Sequence, residues 1–467
     1  MINKGGRELP PFLSGPLGAA GRGASLGRMR HALYLVPFLY SSAVLAAPED
    51  AISEARLRAN VEKLVSFGTR HTLSSQTDPE RGIGAARKWA EAEFRKSSAA
   101  CGNCLEIVLP ETVVSGDRVP VPTRLVNVVA IQRGTERPSE VVIVQAHIDS
   151  RVSDVLDATK DAPGANDDGS GTALVIEAAR VLSKEKFPAT IVYAALSGEE
   201  QGLLGGKLLA DYAAQQGWTV KAVLNNDIVG GSTGSDGYRD DAHVRVLSEG
   251  PRADATDALR AQMRRYGGEN DSPSRNISRW IAKLADKDDA GLAVRQIWRA
   301  DRLGRGGDQL PFSDKGYPAI RFTVAVEDYE HQHQDLRTEG GVKFGDTVDE
   351  MDFPYLAKVT RLNVRALAKL ARTPIPPVPV VKGAVQPSTD IAWQPVPGAA
   401  RYVLWQRRTD APMWETRVLE TVGTKASLPG VRADDWLFGV SAVAADGDES
   451  PIASAVPGGQ FGPLPKP

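Results

Sequence analysis

Between positions 51 and 67 the apolar residues Ile52, Leu57, Val61, Leu64 and Val65 recur at close to helical spacing, which predicts an amphipathic helix. A second helix is expected over 83–97. The period then changes. TRLVNVVAIQR (123–133) reads as one strand and VVIVQA (141–146) as another. The apolar run of the latter is that of a strand buried on both faces. Leu174, Val175, Ala178, Ala179 and Leu182 mark a helix, ATIVYAAL (189–196) a buried strand, and GLLGGKLLADYA (202–213) the start of another helix. VKAVLNND (220–227) and YPAIRFTVA (317–325) are further strands. PYLAKVTRLNVRALAKLA (354–371) is a long helix with proline at its first turn. Strands alternating with helices predict an α/β domain over 48–372, built on a mostly parallel central sheet flanked by helices.

The pattern breaks at TPIPPVPVV (373–381), a stiff, extended, proline-rich stretch that predicts a linker over 373–384. Beyond it helical periodicity is gone. TDIAWQPV, ARYVLWQRR and WLFGVSAVAADG are short alternating strands separated by Pro and Gly turns, as in a small all-β sandwich over 385–462. Through Trp393, Tyr402 and FGVSAVAADGDES this segment resembles a fibronectin type III domain.

Composition changes this picture little. The chain has 467 residues, enough for two or three domains, with 42% hydrophobic and 24% charged residues. A net charge of −2 gives no bulk attraction to nucleic acid or an anionic membrane. The segment MRHALYLVPFLYSSAVLAAPED begins at Met29 and Arg30, runs apolar from Ala32, and ends in the small residues Ala46 and Ala47. That is the order of a secretory signal. Its apolar run is short of the ~20 residues a bilayer span needs. Residues 1–46 are therefore expected to be an extension plus signal, and the mature protein to be exported, periplasmic or extracellular, without a membrane anchor. Only two cysteines occur, Cys101 and Cys104, too few for a four-thiolate zinc site. A local disulfide is expected in an exported chain, with a free pair as the alternative.

Candidate chemistry gathers at the carboxyl ends of the expected strands, where open α/β sheets bind ligands. One strand ends in HIDS, with His147 and Asp149, and a loop, APGANDDGSGTA, then brings Asp167 and Asp168. Another ends in SGEE, with Glu199 and Glu200, and a third on Asp227. EDYEHQHQD holds His331 and His333. Each motif alone is ordinary: NDDG is a common turn, and GEE before a helix is most often a cap. Their conjunction points to metal, because three of the six histidines fall in these segments. Zinc takes imidazole nitrogen and carboxylate oxygen, and two ions ~3.5–4 Å apart need a bridging carboxylate. Asp167, on a tight glycine-flanked loop, suits the bridge. Asp149 could accept the second imidazole N–H of His147. Of Glu199 and Glu200, one can bind metal while the other serves as general base.

In combination, AHIDSR, APGANDDGSGTA, ALSGEEQGLLGG, NNDIVGG and YEHQHQD resemble, in order, the M28 family of co-catalytic di-zinc aminopeptidases. The resemblance implies a zinc-exopeptidase-like fold and two Zn2+ per chain. It places His147 and Asp227 on one ion and Glu200 with a C-terminal histidine on the other; Asp167 bridges and Glu199 is the base. It also implies a cis peptide between Asp167 and Asp168. His331 has Asp335 four residues on, as the family's last ligand commonly does. His333, in HQHQD, is preferred because that variant occurs in relatives with a sandwich domain. Asp308, in RGGDQLPF, and Tyr329 are candidate substrate-side groups, with a plain loop cap the alternative for Asp308. His71 and His243 are expected not to be ligands. The expected activity is removal of N-terminal residues from peptides with a free N-terminus. The alternatives are a di-zinc carboxypeptidase or dipeptidase, a single-zinc glutaminyl cyclase, and a non-catalytic binding protein. No partner for the sandwich is implied.

Overall fold

A computed structural model describes residues 47–287 and 291–464; the expected extension and signal over 1–46 lie outside them. In chain order the first part runs α1 (Glu54–Val65), α2 (Ile83–Ala100), β1 (Leu105–Val108), β2 (Glu111–Gly116), β3 (Val119–Val126), β4 (Val128–Gln132), β5 (Arg137–His147), α3 (Gly169–Leu182), β6 (Ala189–Leu196), α4 (Leu204–Gln215) and β7 (Thr219–Asn226). There follow β8 (His243–Ser248), α5 (Asp257–Tyr266), α6 (Pro273–Ala285), β9 (Ala293–Ile297), α7 (Leu310–Asp314), β10 (Ala319–Val324), β11 (Arg337–Glu339), β12 (Val342–Phe344) and α8 (Phe353–Arg372).

Eight of these strands form one sheet in the order β1-β4-β6-β5-β7-β10-β8-β9. Its centre, β6-β5-β7-β10, is parallel, and β4 and β8 run antiparallel to that centre on either side. The apolar runs are continuous because both faces are covered. Along β5, Val142, Val144 and Ala146 enter the core under α1, α3 and α8, while Val141 and Ile143 enter the core under α4. This is the two-residue alternation of a pleated strand.

The stretch 123–133, expected as one strand, is two. Asn127 is fully buried between them. Its Oδ1 accepts the Ser197 N–H at 3.0 Å, and its Nδ2 donates to the Gly205 carbonyl at 2.9 Å. Those bonds turn the chain, so β3 pairs with β2 in a separate hairpin and β4 alone joins the large sheet. Cys101 and Cys104 form a disulfide just past α2.

After α8 come β13 (Val380–Lys382), β14 (Thr389–Ala392), β15 (Arg401–Arg408), β16 (Thr416–Thr421), β17 (Lys425–Leu428), β18 (Trp436–Val443) and β19 (Ala453–Ser454). They make two small antiparallel sheets, β13-β14-β17 and β16-β15-β18-β19. Trp393, Tyr402, Leu404, Phe438 and Val440 fill the space between them. α6 packs against the second of these sheets at β19, and its Lys283 lies over the Trp405 ring of β15. There the Arg407 guanidinium meets the Asp271 carboxylate at 2.6 Å, and the Trp414 indole N–H donates to Asn276 Oδ1 at 3.0 Å. The described residues form one compact unit. Among the described residues no helix is long and apolar enough to cross a membrane.

Candidate metal centre

Three parallel strands aim their ends at one point. His147 is the last residue of β5, Asp227 follows β7 directly, and Glu199 and Glu200 lie just past β6. The loop between β5 and α3 brings Asp167 and Asp168, joined by a cis peptide bond. Asp168 holds this end of the sheet together. Its carboxylate caps α3 by accepting the Gly171 N–H at 2.9 Å, and it accepts the His147 N–H at 3.1 Å and the Ile228 N–H at 3.3 Å. Two glycines allow so tight a loop. Gly164 has φ +53°, and a Cβ there would lie 2.6 Å from the Asp167 carbonyl oxygen. A Cβ on Gly171 would collide with the Asn226 carbonyl oxygen and the Asp168 carboxylate.

Asp167 turns its two carboxylate oxygens in different directions. Oδ1 lies 3.1 Å from His147 Nε2, and Oδ2 lies 2.9 Å from His333 Nε2. Asp227 Oδ1 is 3.9 Å from His147 Nε2, and Glu200 Oε1 is 3.1 Å from His333 Nε2. Three groups result: His147, Asp167 and Asp227; Asp167, Glu200 and His333; and His147, Glu199 and Glu200. In each, one ligand atom per residue lies within 4.8 Å of the others, and each could hold a metal ion. The donor types suit a divalent cation. Glu200 Oε1 is buried and makes no well-aligned hydrogen bond, with only His333 Nε2 close by at 3.1 Å, so a cation there would complete its coordination.

The His147 ring is oriented by backbone. Its Nδ1 faces the Asp149 carbonyl oxygen at 3.0 Å, against 3.6 Å to the Asp149 carboxylate. A carbonyl can only accept, so Nδ1 carries a proton, and Nε2 is the atom that would hold a metal. The Asp149 carboxylate instead accepts the backbone N–H groups of Glu199 and Glu200, at 3.3 and 3.2 Å, and fixes where those two side chains begin.

Charge is tightly coupled in this buried space. Burial alone would lower His147, but the Asp149, Asp167 and Asp227 carboxylates raise it well above its usual value. His333, likewise opposed by burial, is raised to about 9 by Glu200 and Asp167. Burial pushes Asp167 up, yet His333 and His147 hold it well below the usual range. Burial, with Asp227 and Glu200 alongside, pushes Glu199 well up. Asp227 stays at about 2 against its burial because the Arg321 guanidinium is 2.7 Å away.

Several supporting residues have no role assigned from the sequence, although Arg70, with His71, lies in a stretch that resembles the family's. Arg70, buried completely, donates to the carbonyls of Ile148 and Gly164 at 2.7 and 2.8 Å and so shapes the loop from beneath. Asp346 accepts the Asn166 and Asp167 N–H groups at 2.8 and 2.7 Å. Arg151 binds Glu200 Oε2 at 2.8 Å, and its Nη2 lies 2.6 Å from His333 Nδ1.

Other candidates lie elsewhere. His331 turns to Asp328 at 2.8 Å and Glu350 at 3.6 Å, away from the cluster. Tyr329 is not brought to the cleft: it is 62% exposed, its backbone N–H held by the Ser235 hydroxyl. Asp308 is buried, with Oδ1 accepting the Gly206 N–H at 3.1 Å, and burial pushes it up to about 7. It does not line the cleft above the cluster. His71 lies buried against the Val155 carbonyl and Gln201, and His243 pairs with Asp240.

Residues 127–339 match the model of peptidase family M28. A probable zinc metalloprotease of Leptosphaeria maculans is 42% identical over 422 residues, covering 89% of this chain and 97% of its own. One of Pyricularia oryzae is 41% identical over 428 residues, covering 89% and 84%. Among solved structures, the LapA aminopeptidase of Legionella pneumophila aligns over 69% of this chain and 72% of its own, with 20% identity and a TM-score of 0.49.

Proposed function

The chain belongs to peptidase family M28, and on that footing we propose that it is an exported zinc-dependent aminopeptidase with a two-metal site. The observation that carries the reading is Asp167, one carboxylate facing two imidazole nitrogens from opposite oxygens. His147 and Asp227 would hold one zinc, Glu200 and His333 the other, and Asp167 both. Two such ions supply Lewis acidity and lower the pKa of a water toward ~7. The protein's own part follows from its side chains. Glu199, at the cleft surface beside Glu200, takes a proton from the attacking water and returns it to the leaving amine. Asp149 holds the Glu199 backbone in place for this, and its carbonyl keeps the His147 ring in one tautomer. Arg321 and Arg151 orient Asp227 and Glu200.

Export accords with the signal-like segment and with the Cys101–Cys104 disulfide. The C-terminal sheets are proposed to be a fibronectin type III-like sandwich over 385–462, following the peptidase domain and its linker. The test is a panel of aminoacyl chromogenic amides, assayed with and without a chelator. Release that requires a free amino group, is abolished by chelation and returns with zinc is expected. Equal cleavage of N-acetylated substrates, or turnover untouched by chelation, overturns the reading.

A further inference from the structure

The cleft above the cluster, a cavity of about 400 Å³, has walls of unusual charge. Asp167, Glu199, Glu200, Asp227 and His333 make its floor, and Arg118, Arg151, Arg302 and Arg305 stand around it. Arg118 comes from the tip of the β2–β3 hairpin, and Arg302 and Arg305 from the loop before α7 on another wall. Two of the four are spent. Arg151 binds Glu200 and the Val152 carbonyl and lies against the His333 ring. Arg302 binds Asp301, Glu327 and the Gly306 carbonyl. The other two keep donors free. Arg118 gives only Nη1, to the Glu200 carbonyl at 3.0 Å. Arg305 gives only Nη1, to Glu327 at 2.6 Å and Gln332 at 3.0 Å. In each, Nε and Nη2 have no partner among the described residues.

Resting on the reading above, we propose that Arg118 and Arg305 form a subsite for a carboxylate of the substrate, so that this peptidase selects acidic or carboxylate-ended peptides. The charge balance supports it. Two divalent ions would offset the four floor carboxylates, and Asp301 and Glu327 meet part of the guanidinium charge, leaving the rest, Arg118 above all, to be met by substrate. A guanidinium with Nε and Nη2 both free presents the paired donors that match a carboxylate's two oxygens. Leu203 is the one large apolar side chain among the described residues of the lining, which argues against selection for a large hydrophobic side chain.

The carboxylate could be the side chain of the first residue or the free end of a dipeptide, and matched substrates separate the two. Glutamyl and glutaminyl anilides differ at the side chain; a dipeptide and its amide differ at the terminus. At least one pair is expected to favour the carboxylate member by tenfold or more in kcat/KM. Arg118→Met and Arg305→Met should each bring that ratio to within about threefold of unity. Arg118 is exposed on a hairpin tip, so its variant does not depend on core packing. Calorimetry on the zinc-loaded protein adds a readout free of turnover: L-glutamate should bind at least tenfold more tightly than L-glutaminamide. Equal rates within both pairs, ratios unchanged in both variants, or equal affinities overturn the subsite. A carboxylate preference with indifference to N-acetylation would instead overturn the aminopeptidase reading and leave the subsite standing.

Discussion

Asp271 is the joint between the two parts of the chain, and its removal has a calculable cost. It sits just before α6 and is 1% exposed. One oxygen accepts Arg407 Nη2 at 2.6 Å; the other accepts the Ser454 hydroxyl at 2.8 Å and faces Arg279 Nη1 at 3.5 Å. Arg407 and Arg279 are themselves buried, and burial has already brought Arg279 down to about 10. Asp271→Ala would leave two buried guanidinium groups uncompensated, a loss of about 3–5 kcal/mol. For a cooperative unit of roughly 420 residues the unfolding entropy is about 0.9 kcal/mol/K, so Tm should fall by about 3–6 °C. Differential scanning calorimetry of the full chain at fixed zinc concentration measures this. Asp271→Asn, which keeps the size and loses the charge, should fall nearly as far. Arg407→Met combined with Asp271→Ala should cost clearly less than the two single changes added. A Tm unchanged within about 1 °C, or strict additivity, would refute the reasoning.

Three further outcomes follow from the site and its surroundings. Glu199→Gln should lower kcat by about 10²–10⁴-fold while metal content, read by mass spectrometry, stays at the wild-type value; lost metal would make Glu199 a ligand instead. His333→Ala should release one metal equivalent and His331→Ala none, and the reverse would exchange their roles. Burial raises Glu249 from 4.5 to about 7, so the folded state holds a proton that the unfolded chain has lost between those values. Its stabilising share is full below about 4.5 and lost as pH rises through 7, about 3 kcal/mol in all. Glu249→Gln should therefore gain in Tm over the wild type at pH 8 relative to pH 5, and a pH-independent difference would contradict this.

The sheet was legible where burial on both faces leaves an apolar run, as in β5, β6 and β7. The break at Asn127 was not, because it depends on Ser197 and Gly205, some 70 residues further on. The ligand-type residues stood out because strand ends concentrate them. Their supporting charges did not. Arg321 lies inside an apolar strand, a signal in principle, but its partner Asp227 is 94 residues away. Tyr329 was misplaced for a local reason. The Ser235 hydroxyl holds its N–H, and positive φ at His333 reverses the chain, sending His333 inward while Tyr329 stays in solvent. Two histidines two residues apart thus face different neighbours, and spacing alone cannot distinguish them.

The grip of α6 on the C-terminal sheets bears on how such a chain can be rearranged. Modules on a loose tether can be exchanged by recombination at the tether. Here a new tail grafted after Thr373 would have to supply a guanidinium for Asp271 and an indole for Asn276, and Lys221 would still seek the Leu370 and Thr373 carbonyls. The two halves are therefore bound to be inherited together, each constraining the substitutions the other can accept.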